Sequence, residues 1–215
     1  MKATSFFGGR TDAPMMKRKI GIFGGTFNPP HIGHLFMAEQ AYYEFLLDRV
    51  VLLPLGDPPH KRGAEILPSD VRLKMLDAMT ERSPFLEVSR METERGGYTY
   101  TVETLEQLSR TQGEEYYYII GADTLFELEN WRRFRDVVKL TEFICFMRRG
   151  IDRNAVMEKI WQIRDEFGKE VLLSKTVAPG ISSTEIRERI RNGEPLKGLV
   201  TEAVGKILEE ENAFR

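Results

Sequence analysis

From residue 18 onward the chain alternates short apolar runs with longer stretches whose apolar positions recur at helical spacing. Residues 19–23 (KIGIF) predict a buried strand, closed by Gly24-Gly25. Residues 32–47 hold no proline and no glycine beyond Gly33 and predict a helix; residues 48–55 (DRVVLLPL) predict a second strand. Val71, Leu73, Leu76 and Met79 lie near helical spacing, so 70–80 predicts a helix with Ser69 as its N-cap. Residues 85–88 predict a short strand and 101–110 a helix. The runs 116–121 (YYYIIG) and 143–147 (FICFM) predict two strands around a Trp- and Arg-rich segment. Residues 153–167 predict a helix, 170–173 a last strand, and 183–191 and 201–210 closing helices. Strand alternating with helix predicts an α/β fold with a mainly parallel sheet, as a single domain over 18–215. Such a sheet binds ligands beyond the carboxyl ends of its strands, where the strand order reverses. The loops after the strands are therefore where chemistry is expected.

Composition narrows the classes. With 41% hydrophobic and 30% charged residues the chain is globular rather than disordered. Thirty-one Lys+Arg against 33 Asp+Glu leave a net charge of −2, which argues against nucleic acid held by bulk charge. The single cysteine, Cys145, excludes an internal disulfide framework and a Cys-rich zinc site. Placed in the run FICFM, it reads as core, and it points to a reducing, cytoplasmic compartment. The longest apolar runs, 50–55 and 143–147, are too short to span a bilayer. Residues 1–17, with Gly8-Gly9, Pro14 and scattered charges, lack the apolar run of a signal peptide and are expected to be a flexible extension.

Two loops carry the strongest chemical signals. After the first strand the chain reads GGTFNPPHIGH, from Gly24 to His34. Gly24-Gly25 lets the backbone approach a bulky anion, because no Cβ intervenes. Pro29 and Pro30 stiffen the entry to a helix, and His31 and His34 share one face of its first turn. Imidazoles beside backbone N–H groups at a positive dipole end suit phosphate oxygens. Zinc is disfavoured, since the other histidine is His60 and no cysteine cluster accompanies the pair. The fingerprints GxGxxG and GxxxxGK[ST] are both absent. Near the C-terminus, residues 180–190 read GISSTEIRERI. Ser182 and Glu185 form a capping-box pattern, and a hydroxyl-rich helix start with Arg187 one turn in is also an anion site.

Four segments lie between. Pro58-Pro59-His60-Lys61 places a cation after the second strand, and 97–104 (GYTYTVET) enters a helix at hydroxyl-bearing residues. Gly121-Ala122-Asp123 offers a carboxylate to ribose hydroxyls. Residues 129–135 (ENWRRFR) set an aromatic ring among cations, suited to stacking on a planar heterocycle. Arg132, Arg133, Arg135, Arg148 and Arg149 read as a solvated face or a subunit contact, and several helix faces would support a homo-oligomer.

The segment GGTFNPPHIGH resembles the phosphate-binding signature of the nucleotidyltransferase superfamily with a Rossmann-like fold, shared with class I aminoacyl-tRNA synthetases. ISSTEIR is similar to that superfamily's second phosphate motif; 172–176 (LLSKT) only weakly echoes the synthetases' lysine loop and reads as strand end. Taken in order, GGTFNPPHIGH, PPHK, YTVET, GAD, ENW and ISSTEIR resemble the bacterial nicotinate-nucleotide adenylyltransferases, from about residue 19 to the C-terminus. The extension at 1–17 and the closing ENAFR depart from the family pattern. The resemblance implies a Rossmann-like, doubly wound sheet with helices on both faces. It implies transfer of AMP from ATP to nicotinic acid mononucleotide, with Mg²⁺ accompanying ATP and held largely by phosphates and water. It assigns His31, His34 and Arg187 to catalysis, and Gly24, Gly25, Thr26, Phe27, Lys61, Ser182 and Ser183 to ATP and its phosphates. It assigns Tyr100, Thr101, Asp123 and Trp131 to the mononucleotide. Nicotinamide mononucleotide or phosphopantetheine as acceptor, or a non-catalytic nucleotide-binding regulator, remain alternatives.

Overall fold

In the computed structural model, which describes residues 17–56, 65–95 and 97–215, the central strands are apolar on both faces. Ile20, Ile22, Tyr116, Tyr118, Phe143 and Cys145 pack into one core layer, while Phe23, Tyr117, Ile119, Ile144 and Phe146 pack into the other. That period of two, apolar on both sides, requires helices above and below the sheet. The elements run β1 (Arg18–Gly25), α1 (Ile32–Phe45), β2 (Arg49–Pro54), α2 (Ser69–Thr80), β3 (Leu86–Val88), α3 (Met91–Arg95), α4 (Thr101–Leu108) and β4 (Glu114–Gly121). They continue with α5 (Ala122–Glu127), a 3-10 turn at Leu128–Asn130, α6 (Phe134–Leu140), β5 (Glu142–Arg148), α7 (Arg153–Phe167), β6 (Val171–Ala178), α8 (Ser183–Arg191) and α9 (Glu202–Glu210).

The six strands are all parallel, in the order β3-β2-β1-β4-β5-β6. The first core layer belongs to α4–α7, through residues such as Val102, Leu125, Val137 and Ile160; the second belongs to α1, α2, α8 and α9, through Ala38, Met75, Ile186 and Val204. The chain winds outward from β1 to β3, then returns to place β4 on the other side of β1. The reversal between β1 and β4 opens a crevice at their carboxyl ends. This is the parallel α/β sheet expected from the alternation of elements, doubly wound as the family resemblance implied.

Three details differ from the sequence reading. Ser69 is the first residue of α2 rather than its cap; Pro68 holds the cap position and makes no side-chain cap hydrogen bond. The helices α3, α5 and α6 have no counterpart among the expected elements, and β6 continues beyond residue 173 to Ala178, sustained by pairing with β5 through a register shift. Cys145 is buried in β5, and burial pushes its thiol up to about 12, so it is no nucleophile at neutral pH. Among the described residues no helix is long and apolar enough to cross a membrane. The expected extension up to residue 16 and the PPHK segment lie outside the described residues.

Candidate active site

The loop after β1 is held from several directions. The Asn28 amide donates to the Glu65 carbonyl (2.9 Å) and accepts from the Leu67 N–H (2.9 Å), tying this loop to the entry of α2. His31 is the N-cap of α1, and its Nδ1 accepts the His34 N–H at 3.3 Å. His34 reciprocates: its Nδ1 accepts the His31 N–H at 3.2 Å, a capping box built from two imidazoles. The rings stack with centroids 3.6 Å apart and planes 22° from parallel. Because each Nδ1 is an acceptor, each ring carries its proton on Nε2. Burial, reinforced by the Arg148 charge, holds His31 down at about 4, so it is uncharged at neutral pH. Phe27 is buried and sets its ring edge-on to His34 at 4.9 Å, backing the imidazole rather than lining the crevice.

The start of α8 closes onto this loop. Ser183 Oγ donates to the Pro29 carbonyl (2.9 Å), and Arg187 Nη1 donates to the Asn28 carbonyl (2.9 Å). Arg187 Nη2 also donates to Thr184 Oγ1 at 3.1 Å. Burial, then the neighbouring Arg191, lowers the Arg187 pKa, yet its guanidinium remains a cation at neutral pH. Ser182 caps α8 by accepting the Glu185 N–H at 3.1 Å, while the Glu185 carboxylate turns to Arg189 (3.1 Å) instead of completing a box. The two motif segments, far apart in sequence, therefore meet at one helix-dipole end each.

Beside them lies a cavity of about 420 Å³ at the β1–β4 switch point. Gly24, Gly25, Thr26 and His34 line it, as do Tyr100, Thr101, Trp131, Arg132 and Arg148. Trp131 is edge-on to Tyr118 (5.5 Å, 75°), and the Arg132 guanidinium lies 4.3 Å above the Tyr100 ring. Asp123, in the first turn of α5, is half-exposed at the rim and pairs with Arg148 Nε at 3.1 Å. Lys61 lies outside the described residues.

Gly24 has a neighbour that the sequence did not announce. A Cβ there would collide with the Tyr118 hydroxyl, which the β1–β4 register (Ile22 opposite Tyr118) brings two residues along. The Gly25 Cβ would meet the Phe27 ring at 3.2 Å. The glycines thus make room for aromatic side chains as well as for a ligand. Gly24→Ala is expected to cost about 1–3 kcal/mol of stability through overpacking. Denaturant midpoints in a double-mutant cycle with Tyr118→Phe check this, because removing the hydroxyl should return part of the loss.

The arginine cluster also divides differently from expectation. Arg133 pairs with Glu106 and Asp136, and Arg135 with Glu166, on the surface. Arg132 and Arg148 face the cavity instead. Arg148 ends β5, and the rule that ligands lie beyond strand carboxyl ends would have singled it out.

A family model described as Cytidylyltransferase-like matches residues 22–189. A relative from Desulfitobacterium hafniense (strain DSM 10664 / DCB-2), named a probable nicotinate-nucleotide adenylyltransferase, is 39% identical over 199 residues, covering 92% of this chain and 96% of its own. A relative of the same name from Moorella thermoacetica (strain ATCC 39073 / JCM 9320) is 37% identical over 199 residues, covering 92% of each chain. A solved Plasmodium falciparum nicotinic acid mononucleotide adenylyltransferase complexed with NaAD shares the fold, with a TM-score of 0.77 and 16% identity over 92% of this chain and 97% of that one. Likeness of this extent, along nearly the full length of both curated relatives, means that the chain belongs to the nicotinate-nucleotide adenylyltransferase family.

Proposed function

We propose that the protein transfers AMP from ATP to nicotinic acid mononucleotide, giving deamido-NAD and pyrophosphate. The observation that carries this reading is the meeting of the Asn28–Pro29 backbone, just ahead of the His31–His34 pair, with the start of α8 beside a cavity lined by Trp131, Tyr100 and Tyr118. Polyphosphate chemistry needs the first part, and a pyridine ring needs the second.

In this reading an oxygen of the mononucleotide's 5′-phosphate attacks the α-phosphorus of ATP, and the bond to the β-phosphate oxygen breaks. The nucleophile is already an anion at neutral pH, so no side chain has to remove a proton. The imidazole Nε2–H groups and the Arg187 cation stabilise negative charge on the α-phosphate and on departing pyrophosphate. A neutral His31 suits that task, since it donates a hydrogen bond without exchanging its proton. Ser182, Ser183 and the Gly24–Thr26 backbone hold the triphosphate, and Trp131 stacks on the pyridine ring while Tyr100 and Thr101 line its pocket. Asp123 takes the ribose or adjoining groups. Aligning two mutually repelling anions supplies much of the rate.

Mg²⁺ would neutralise phosphate charge. The donor set fits an ion carried by the triphosphate and water: the walls offer N–H groups and cations, Asp123 is engaged by Arg148, and no group of three His, Cys, Asp or Glu among the described residues could hold a metal. We place the reaction in the cytoplasm, where a free buried Cys145 is at home.

Pyrophosphate release on mixing the protein with ATP, Mg²⁺ and nicotinic acid mononucleotide tests the proposal. Release with formation of deamido-NAD is expected. ATP binding without release, or faster turnover of nicotinamide mononucleotide or phosphopantetheine, overturns it.

A further inference from the structure

Resting on the mononucleotide reading above, we propose that the side chain of Arg132 selects the acid form of the pyridine nucleotide, by pairing its guanidinium with the ring's carboxylate. Three observations meet at this residue. The first is position: Arg132 follows Trp131 directly, and both line the cavity together with Tyr100 and Thr101. The second is restraint. The guanidinium lies 4.3 Å over the Tyr100 ring, so a cation–π contact holds it at the wall and leaves its N–H groups available.

The third is charge. Arg133 is engaged by Glu106 (2.7 Å) and Asp136 (2.9 Å), Arg135 by Glu166 (2.7 Å) and Arg148 by Asp123 (3.1 Å). Among the described residues no carboxylate stands within ion-pair distance of Arg132, although it sits amid these pairs. A cation at a cavity wall without a protein anion is complementary to an anion on the ligand.

The chemistry of the two candidate bases turns that charge into a choice. An N-glycosylated pyridine ring is a cation, which the faces of Trp131 and Tyr118 accommodate. A fixed guanidinium nearby repels such a ring. In the acid form the carboxylate cancels the ring charge and accepts two parallel N–H bonds from the planar fork of arginine. The carboxamide leaves the ring charge uncompensated, offers one acceptor oxygen and turns an NH₂ toward a group that only donates. Arg132 therefore both attracts the acid and rejects the amide, as specific sites commonly do.

The test compares kcat/KM for nicotinic acid mononucleotide and nicotinamide mononucleotide in the parent, Arg132→Gln and Arg132→Lys. Arg132 is exposed, so both variants are expected to unfold at the parent's denaturant midpoint. Arg132→Gln should lower the acid-to-amide ratio by about 10- to 30-fold, mostly through KM for the acid. Arg132→Lys, which keeps the charge and loses the fork, should fall between them. Added salt should shrink the parent's ratio more than that of Arg132→Gln. A parent that turns over the acid while Arg132→Gln keeps its ratio within threefold overturns the selection alone. A parent that turns over neither pyridine mononucleotide, or prefers the amide, overturns the substrate reading and this inference with it.

Discussion

Replacing His34 with alanine is expected to lower kcat by about 10²-fold or more, a loss of ~2.7 kcal/mol of transition-state stabilisation. His34 lines the cavity, its Nδ1 is occupied by the His31 N–H, and its ring is fixed between His31 and Phe27. The imidazole is therefore preorganised, and a methyl group cannot replace it. His31→Ala should match this loss and add about 1 kcal/mol of instability, because the cap on the His34 N–H goes with it. His31→Asn separates the two effects: the amide oxygen can still cap, so stability should return while kcat stays low. Activity of either alanine variant within twofold of the parent would remove these histidines from the mechanism. The low His31 pKa has its own signature. The unfolded chain protonates this group near 6.5 and the folded protein near 4, so between those values only the unfolded state holds the proton. Stability is then unpenalised above pH 6.5 and falls as pH drops toward 4, by about 3 kcal/mol in total for this group. Denaturant midpoints at pH 4.5 and 7.5 should show this component in the parent and lack it in His31→Asn.

What is legible in the sequence is what local chemistry determines. The helices at 153–167 and 183–191 match their expected bounds because their stops are local: Asp152 and Ser182 cap the starts, and Gly168 takes a left-handed conformation after α7. The HxGH segment is equally readable, since both imidazoles act within one helical turn. What sequence hides is set by strand order and register. Arg148 reaches the cavity because β5 lies beside β4, and Gly24 faces Tyr118 because β1 and β4 pair with Ile22 opposite Tyr118. Its place at the end of β5 marks Arg148 as a candidate, but no spacing rule announces that β5 lies beside β4 or that Gly24 faces Tyr118. The five-residue helix α3 is too short for a periodicity; it buries Glu92, whose carboxylate accepts from Thr104 Oγ1 at 2.6 Å, and that is a tertiary contact. Ser69 is not the cap because the Arg72 N–H already donates to Pro68 O while the Arg72 side chain holds Leu67 O, fixing how the chain enters α2.

Arg72→Met is expected to lower the free energy of unfolding by about 3–5 kcal/mol, more than the loss of the His31 cap or the crowding of Gly24→Ala. Arg72 is 2% exposed, and its guanidinium donates to carbonyls from three separate stretches of chain. Nε donates to Leu67 O (3.1 Å), Nη1 to Thr26 O (2.9 Å) and Leu55 O (2.8 Å), and Nη2 to Gly56 O (3.3 Å). One side chain of α2 thus fastens the loop after β1, the loop after β2 and the approach to its own helix. Methionine fills comparable space and donates nothing, so these carbonyls lose their partner where water has little access. Lysine restores the charge, but a compact ammonium on a single stem cannot reach carbonyls spread around a planar fork, so Arg72→Lys should recover only a minor part. Because Thr26 and Leu55 line the cavity, the loss should also reach the site: the folded fraction of either variant should show a raised KM for ATP. Urea denaturation with an unchanged slope and a lower midpoint would register the stability effect. A drop below about 1 kcal/mol would mean that neighbouring backbone or water takes over these acceptors, and that the two loops hold their places without Arg72.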